Sequence, residues 1–464
     1  MARAPATPKN CTSLVEQALL GAGLRGGRVI VGLSGGVDSV ALLHAVARVA
    51  AGYGVTTMAL HVHHGLSPRA DEWGRACAEL CRTLNVTFTE VRVHIDRRSK
   101  LGIEGAAREA RYAVFRQQQA NAIALAHHAD DQAETLLLQL LRGAGVRGLS
   151  AMPTARVLEP ATGLLLLRPW LSLTRAKIRS YAEREGLSWV EDESNADPAY
   201  DRSFLRTRIL PELVARFPGL TNTFGRAARN FADAVQLLDD LAARDALGVR
   251  EGESLSVSAL AALSPARARN LLRWFLERQG FPQPSRDQLE EALRQGLAAR
   301  GDTQPRVKLG AAWLRRYRGR LYLQPAENET VRDWNLTWSG EDELTLPAGL
   351  GRLRFEPALG TGLSLQRLRA QNVGVRPRTG GERLRFAPNR PARTLKNLLH
   401  EAAIPEWERG CMPLIFAGET LVWVPDIGQD FRFTAAPGES GVMPRWERET
   451  LAPAQDSSVN PRRD

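Results

Sequence analysis

Cysteine is scarce in this chain of 464 residues, which has only four: Cys11, Cys77, Cys81 and Cys411. Cysteines so few and so scattered exclude a disulfide scaffold and fit a reducing, cytoplasmic compartment. Long apolar runs are missing too, so we expect no membrane-spanning segment. The first nine residues contain proline and charges but no apolar core, and they predict no secretory signal.

The two common phosphate-binding motifs are absent from the first strand–turn–helix unit. That unit has Ser34-Gly35-Gly36-Val37-Asp38-Ser39 directly after the apolar run 29–33. No lysine follows the glycines, as a Walker loop requires, and adjacent glycines do not form the dinucleotide fingerprint. A glycine-rich turn before a helix still directs free backbone N–H groups, and the positive end of the helix dipole, at one point. The loop therefore predicts a phosphate site, with Ser34 and Ser39 as hydroxyl donors and Asp38 placed to hold Mg²⁺.

Strand and helix patterns alternate through the first half of the chain. The predicted strands are 29–33, 55–63, 86–95, 122–126 and 164–167, separated by predicted helices. This alternation is typical of an α/β fold with a doubly wound parallel sheet, which binds ligands at the carboxyl ends of its strands.

The alternation stops near Pro211, and we expect further domains beyond it. A long amphipathic helix should link the catalytic domain to two smaller C-terminal domains. The predicted division is a catalytic domain at 1–215, a helical linker at 216–248, a helical domain at 249–325, an α+β domain at 326–450 and a disordered tail at 451–464.

Histidines and acids are concentrated where two of the predicted strands end. His61 closes the second strand, and His127, Asp131 and Glu134 follow a later one. Asp131 and Glu134, three residues apart, fall on one face of the first helical turn. That spacing fits a helix cap, with Asp130 or Asp131 capping and Glu134 completing a box. The same spacing fits a site that holds Mg²⁺ or takes a proton from an attacking amine. The clustering of histidines and acids at the strand ends favours this second interpretation.

Basic residues outnumber acidic ones, and the formal net charge is +11. Arginine pairs bidentately with phosphate oxygens, so the excess fits a nucleic-acid partner, although arginine used only for solubility gives the same total. An uneven distribution favours the nucleic acid, since one cluster is interleaved with Trp313, Tyr317 and Tyr322, as stacking on RNA bases requires. The residues that we predict to bind RNA are Arg315, Arg316, Arg318, Arg383, Arg385, Arg390, Arg393 and Lys396.

Five motifs occur in an order that is specific to one family. The loop 34–39 by itself resembles the PP-loop ATP-pyrophosphatase superfamily. The ordered set resembles the tRNA(Ile)-lysidine synthetase family, and a C-terminal segment from Leu395 to Arg409 resembles that family's terminal domain. The motifs are Ser34–Ser39, His61-Val62-His63-His64-Gly65-Leu66, Ala107-Arg108-x-x-Arg111-Tyr112, His127-His128-x-Asp130-Asp131-Gln132-Ala133-Glu134-Thr135 and Arg142-Gly143-x-Gly145-x-x-Gly148-Leu149.

The resemblance implies a two-step reaction on one nucleoside. The family uses ATP and Mg²⁺ to adenylate the C2 oxygen of the wobble cytidine in the isoleucine tRNA with a CAU anticodon. L-lysine then attacks C2 with its ε-amine and releases AMP, leaving lysidine. The product reads AUA instead of AUG and accepts isoleucine instead of methionine. A homodimer is a further expectation.

The same resemblance assigns roles by position. It places Ser34 to Ser39, His61, Arg108 and Arg111 at ATP, with Asp38 and Asp131 on Mg²⁺. It makes Asp38, His127, Asp131, Glu134, Arg202 and Arg206 the catalytic set, and it makes the partner of the basic clusters a tRNA. Two positions depart from the pattern: Ala126 stands where the family has Gly, and Ser203 stands where it has Asn.

Two other functions compete with this one. A PP-loop enzyme that thiolates cytidine 32 or uridine 34 of a tRNA needs reactive cysteines, and Cys77 and Cys81 have the wrong spacing and place. A tRNA-binding protein with a relic nucleotide fold is the second. The intact Asp38, Asp131 and Glu134 argue against such decay.

Overall fold

A computed structural model describes residues 10–96, 98–99, 102–191, 201–298, 305–326, 333–347 and 349–448. The predicted disordered tail at 451–464 lies outside these residues. The chain divides into two compact units, Met1–Leu238 and Asp239–Asp464. Within the described ranges, no helix is both long and apolar enough to cross a membrane.

The first unit is built on a six-stranded sheet, in the order β3-β2-β1-β4-β6-β5. Neighbouring strands pair in parallel from β3 through β6, and only the edge strand β5 is antiparallel. The predicted doubly wound parallel sheet is therefore confirmed, with β5 as an unpredicted edge strand. The strands are β1 (Arg28–Gly32), β2 (Thr56–His63), β3 (Thr87–Arg92), β4 (Ala122–Ala124), β5 (Ala155–Glu159) and β6 (Leu164–Leu167).

Helices cover both faces of this sheet because its central strands are apolar on both sides. One core contains Val31, Leu42 and Trp170, and the core on the opposite face contains Phe115 and Ile123. The helices of this unit are α1 (Cys11–Gly21), α2 (Val37–Ala50), α3 (Ala70–Thr83), α4 (Gly102–Arg116), α5 (Ala129–Leu141), α6 (Val146–Leu149), α7 (Arg175–Arg184), α8 (Asp201–Phe204) and α9 (Leu210–Arg216). A π-helical turn at Leu205–Ile209 joins α8 to α9.

The predicted linker helix is α10 (Leu220–Val249), 30 residues long. After it, the region 249–325 was expected to be helical, and the structure differs. It contains α11 (Val257–Ala261), α12 (Pro265–Arg278) and α13 (Arg286–Ala298), together with a five-stranded antiparallel sheet. The strands of that sheet are β7 (Arg250–Glu251), β8 (Ser254–Ser256), β9 (Arg306–Leu309), β10 (Ala312–Tyr317) and β11 (Arg320–Pro325).

The remaining described residues form the predicted α+β arrangement. A five-stranded sheet, a four-stranded sheet and a two-stranded ribbon pack around two small apolar cores. The strands are β12 (Leu336–Trp338), β13 (Glu343–Thr345), β14 (Arg352–Leu359), β15 (Leu363–Ser364), β16 (Val373–Arg376), β17 (Arg383–Leu384), β18 (Arg393–Thr394), β19 (Leu414–Ala417), β20 (Thr420–Val424), β21 (Gly428–Gln429) and β22 (Ser440–Glu447). The helices are α14 (Leu365–Arg369), α15 (Leu395–Glu401) and α16 (Glu406–Arg409).

Candidate active site

The loop Ser34–Ser39 forms the predicted turn between β1 and α2. Gly35 has a φ of +92°, and a Cβ built there would lie 2.8 Å from Val190 Cγ2 and 3.3 Å from Cys77 Sγ. Only glycine fits this position. Ser39 closes the turn, because its Oγ accepts from the Ser34 N–H at 3.1 Å and donates to the Gly36 carbonyl at 3.0 Å. Helix α2 begins at Val37 and no side chain caps it, so no capping side chain binds the N–H groups of its first turn.

Asp38 lies in the first turn of α2, and one of its carboxylate oxygens has no partner. Its Oδ1 is buried and makes no hydrogen bond with any described residue. Its Oδ2 lies 3.8 Å from His128 Nε2 and 3.7 Å from Arg175 Nε. Burial raises the pKa of Asp38, even though His128 and Arg175 act in the opposite direction. A carboxylate held this way is ready to bind a cation.

Helix α5 is capped by His128, the residue before its first turn. The His128 N–H donates to Asp131 Oδ2 at 2.9 Å, and the Asp131 N–H donates to His128 Nδ1 at 3.4 Å. The capping box therefore contains Asp131, but its cap is a histidine and Glu134 takes no part. His128 Nε2 also lies 3.4 Å from Asp131 Oδ2, so this imidazole stands between the carboxylates of Asp38 and Asp131.

The carboxylates around His128 shift its pKa. Burial lowers the pKa of His128, but the hydrogen bond to Asp130 and the nearby Asp131 and Asp38 outweigh burial and raise it. Sequence reasoning passed over His128 in favour of its neighbour. The sequence feature that could have identified His128 is its position directly before helix α5, whose first turn contains Asp130 and Asp131.

Glu134 is almost fully buried, with 2% of its surface exposed, and it binds two arginines. Arg206 donates through Nε and NH2 to the two carboxylate oxygens at 2.6 and 2.8 Å, and Arg202 donates through Nε at 2.9 Å. Burial raises the pKa of Glu134, but the hydrogen bonds from Arg206 and Arg202 bring the net shift below the ordinary value. The same guanidiniums lie 3.6 and 3.7 Å from Asp131 Oδ1. The structure thus brings four predicted residues together: Asp131, Glu134, Arg202 and Arg206.

His127 faces a different environment from that of His128. Its Nδ1 is buried and has no partner among the described residues, as is also true of Arg111 Nε and Arg168 Nε. Burial lowers the pKa of His127 well below the ordinary value, and Arg168, Arg202, Arg111 and Arg108 lower it further. Arg168 donates to the Pro153 carbonyl at 2.9 Å and was missed by the sequence, where it only follows a strand. This cluster of buried basic nitrogens without hydrogen-bond partners suits an anionic group of a substrate.

Two other predicted residues are placed less directly. Arg108 lies over the ring of Tyr112, with its guanidinium carbon 4.9 Å from the ring centre, and donates to the Tyr112 hydroxyl at 3.3 Å. His61 is buried, and its Nδ1 lies 2.8 Å from the Leu33 carbonyl and 3.9 Å from Cys77 Sγ. The position of His61 is that of a support beneath the loop, so its predicted contact with ATP stays a prediction.

Of the two predicted magnesium ligands, Asp38 is placed as a site shared with substrate phosphates requires, and the role of Asp131 stays a prediction. The described residues contain no group of three or more His, Cys, Asp or Glu able to hold a metal on protein ligands alone. Mg²⁺ is usually held by one or two carboxylates together with substrate phosphates, and it keeps several waters. The unpartnered Oδ1 of Asp38, beside a loop built for phosphate, meets that requirement.

The basic residues of the second unit are engaged to different degrees. Arg316 donates to the Gly296 and Leu297 carbonyls, Arg318 donates to the His400 carbonyl, and the guanidinium of Arg315 lies 5.0 Å from the Trp407 ring centre. Arg383 donates to the Ala392 carbonyl, and Arg393 pairs with Glu401. The side chains of Arg385, Arg390 and Lys396 make no hydrogen bond or ion pair within the described part of the chain.

Comparisons with known proteins cover nearly the whole chain. Three family models match: a PP-loop domain over residues 8–213, a TilS substrate binding domain over 255–322 and a TilS substrate C-terminal domain over 373–447. Among solved structures, the U34-tRNA thiolase NcsA from Methanococcus maripaludis is 15% identical with a TM-score of 0.42, covering 48% of this chain and 78% of that one. That likeness is too weak to bear on activity.

Full-length relatives show a much stronger likeness. The tRNA(Ile)-lysidine synthase of Nitrosomonas europaea is 43% identical over 91% of this chain and 92% of its own length. The enzyme of the same name from Aromatoleum aromaticum is 41% identical over 91% of this chain and 97% of its own. Since identity of this degree extends from the loop to the terminal domain, the chain belongs to the tRNA(Ile)-lysidine synthase family.

Proposed function

We infer that this chain is a ligase that joins L-lysine to C2 of the wobble cytidine in the isoleucine tRNA with a CAU anticodon. The observation that carries this inference is the arrangement at the ends of the parallel strands β1 and β4. There the loop Ser34–Ser39 lies beside the carboxylates of Asp38 and Asp131, and Arg202 and Arg206 lie near Asp131. The chain that holds this arrangement belongs to the tRNA(Ile)-lysidine synthase family. ATP is the nucleotide that the PP-loop domain uses.

The first step is adenylation of the cytidine. Its C2 oxygen attacks the α-phosphorus of ATP, a P–O bond forms, and the bond to the β-phosphate oxygen breaks with its electron pair leaving on pyrophosphate. We assign phosphate binding to the backbone N–H groups of Ser34–Ser39, with Arg108 and Arg111 beside them. Arg202 and Arg206 supply positive charge where negative charge accumulates on the leaving group.

The second step is attack by lysine. Its ε-amine, after losing the ammonium proton to solvent, forms a C–N bond at C2. The C2–O bond breaks with its electron pair leaving on AMP, and a further proton passes from the nitrogen to solvent. Asp38 and Asp131 place negative charge where a cationic amine approaches. His127, kept neutral by burial and its arginine neighbours, can accept a hydrogen bond from the cytidine or the amine without adding charge.

Magnesium belongs to this proposal as a cofactor. Asp38 and Asp131 would hold it, and the ion would neutralise charge on the phosphate oxygens. Both carboxylates lie within 4 Å of His128 Nε2, which keeps them in one place before nucleotide binds.

The remaining expectations concern domains and assembly. We propose that residues 1–215 carry the catalysis and that 249–325 and 326–450 bind the tRNA, a division supported by the three family models, which match 8–213, 255–322 and 373–447. The cytoplasmic location and the homodimer stay predictions.

The deciding experiment is incorporation of labelled lysine into purified isoleucine tRNA with ATP and Mg²⁺. We expect lysine-dependent AMP release and label in the tRNA, and neither with a control tRNA that carries uridine at the wobble position. Label from a sulfur donor without lysine incorporation would establish the thiolase alternative. Binding of the tRNA without any AMP release would establish the relic fold.

A further inference from the structure

We propose that Glu134 is a positioning residue whose buried carboxylate holds Arg202 and Arg206 in place for the adenylation step, and that it takes no proton from a substrate. The proposal rests on the function inferred above. It changes the role that the sequence predicts for Glu134, which was membership of the group that handles metal, cytidine and lysine.

The first argument is that both oxygens of Glu134 are already occupied. Oε1 accepts from Arg206 Nε at 2.6 Å, and Oε2 accepts from Arg206 NH2 at 2.8 Å and Arg202 Nε at 2.9 Å. The side chain is 3% exposed. A general base must lie within hydrogen-bond reach of the proton that it abstracts, and a nearly fully buried carboxylate that already accepts three hydrogen bonds from guanidiniums is poorly placed for that role.

The second argument is the exposure of the two arginines. The side chains of Arg202 and Arg206 are 26% and 36% exposed, so both guanidiniums remain partly accessible while some of their N–H groups are bound to Glu134. A guanidinium has five donors in a fixed fork, and anchoring one edge fixes the direction of the others. Glu134 therefore sets where the positive charge of both arginines points.

The third argument is what the arginines would do without Glu134. Their NH2 groups lie only 3.6 and 3.7 Å from Asp131 Oδ1, just beyond a good hydrogen bond. With the buried carboxylate removed, Asp131 is the nearest remaining acid, and both guanidiniums would close on it. Arg202 and Arg206 would then lose their orientation, and Asp131 would be covered.

The backbone conformation around Arg206 also supports a positioning role for Glu134. Arg206 lies in the π-helical turn Leu205–Ile209, four residues after Arg202 in α8. Isolated π-helical turns are rare and occur frequently at functional sites. Here α8 and the turn that follows it together present two arginines, four residues apart, to one carboxylate on α5.

The test separates the two chemical steps. Pyrophosphate release is measured in a single turnover with ATP and isoleucine tRNA but without lysine, so that only adenylation is observed. We expect Glu134→Gln to slow this step about 10- to 100-fold, as loss of an orienting partner does, with little change in the KM for ATP. A proton acceptor for lysine would leave this step unchanged, and an unchanged rate would overturn the proposal.

A triple variant tests whether Glu134 acts through the arginines. If it does, adding Glu134→Gln to a variant that already carries both Arg202→Gln and Arg206→Gln should cause no further loss, whereas an additional loss of the same size as in the otherwise unchanged protein would contradict the proposal. Glu183→Gln is the matched control, because it breaks an exposed Arg179–Glu183 pair on α7 and should leave the rate unchanged.

Folding and identity are controlled separately. Should Glu134→Gln not fold, Glu134→Asp keeps the charge and shortens the reach, and we expect the same slower adenylation with an unchanged pH profile. If Glu134→Gln folds and its pH profile loses the acidic limb that the unchanged protein shows, Glu134 acts as a base and the proposal is overturned. If the unchanged protein releases no pyrophosphate with this tRNA, the proposed function fails; if it does and Glu134→Gln matches it, only the positioning role fails.

Discussion

Arginines of the two compact units differ in their hydrogen-bond partners. In the first unit, Arg202 and Arg206 are both held by one buried carboxylate, that of Glu134, and remain partly exposed. In the second unit, Arg316 and Arg318 donate to backbone carbonyls. The first pair is bound to a buried carboxylate beside the candidate site, and the second pair donates to backbone carbonyls of its own unit.

This difference shows what a count of basic residues can mean. All eight residues predicted to bind RNA came from two runs of positive charge, and five of them make contacts within their own unit. Such contacts do not prevent a surface arginine from also meeting a phosphate. They do mean that removing it disturbs the fold as well as the charge.

Asp38→Asn should reduce activity more than any substitution in the second unit. The change removes the charge and keeps the size, and Asp38 Oδ1 makes no hydrogen bond with described residues that would be lost. We expect lysine-dependent AMP release to fall by at least about 10²- to 10³-fold, the usual cost of losing one electrostatic group from a reaction centre. The thermal midpoint should not fall, because burial already disfavours this charge. A normal rate would remove the loop from the mechanism.

Trp407→Ala should lower stability rather than chemistry. The Trp407 ring packs edge-on against Tyr317 and Tyr322, with centres 6.0 and 5.7 Å apart, and under the guanidinium of Arg315. Because the ring is only half-buried, we expect a loss of about 2–3 kcal/mol in the free energy of unfolding. Denaturant unfolding measures it, and Trp407→Phe should recover most of the loss. Unchanged stability with weaker tRNA binding would mean that this aromatic cluster serves RNA after all.

Arg316→Ala sharpens the comparison within the predicted RNA-binding set. Its NH1 donates to the Gly296 carbonyl at 2.9 Å and the Leu297 carbonyl at 3.3 Å, near the end of α13. Loss of a hydrogen bond to a charged donor costs about 1.5–3 kcal/mol, and we expect the free energy of unfolding to fall by that amount. The salt dependence of tRNA binding should not change. A shallower salt dependence of tRNA binding with unchanged stability would instead show that Arg316 contacts the RNA.

The sequence predicted the catalytic unit well because its signals are local. A buried strand, a glycine turn and a helix start follow one another within a short stretch, and each constrains the next. Thus Ser34–Ser39 and its neighbours in β1 and α2 lie where the pattern places them. The meeting of Glu134 with Arg206 was beyond pattern reasoning, since 72 residues separate them and only the family resemblance brought them together.

The middle of the chain shows where the pattern misled. Strands β9 to β11 alternate basic or aromatic residues with Val307, Leu309, Leu314 and Leu321, which are buried. The alternation of apolar and polar residues that is typical of a half-buried strand was present in the sequence. The high density of positive charge in the same stretch led to a prediction of RNA binding instead of a sheet. His128 was missed for a related reason, because a histidine cap is unusual and Asp or Ser is the residue that capping rules lead one to expect.

Arg390→Ala and Lys396→Ala should have the smallest effects and test the surface side of the comparison. Both side chains are exposed and make no hydrogen bond or ion pair with described residues, so stability should stay within about 0.5 kcal/mol. If each meets one tRNA phosphate, the slope of log binding constant against log salt should become shallower by about one per residue. AMP release at saturating tRNA should not change, because neither residue belongs to the catalytic unit. If neither substitution changes the slope, then neither Arg390 nor Lys396 contacts a tRNA phosphate. An exposed basic side chain without a partner would then predict RNA contact no better than an arginine that already binds within its own unit.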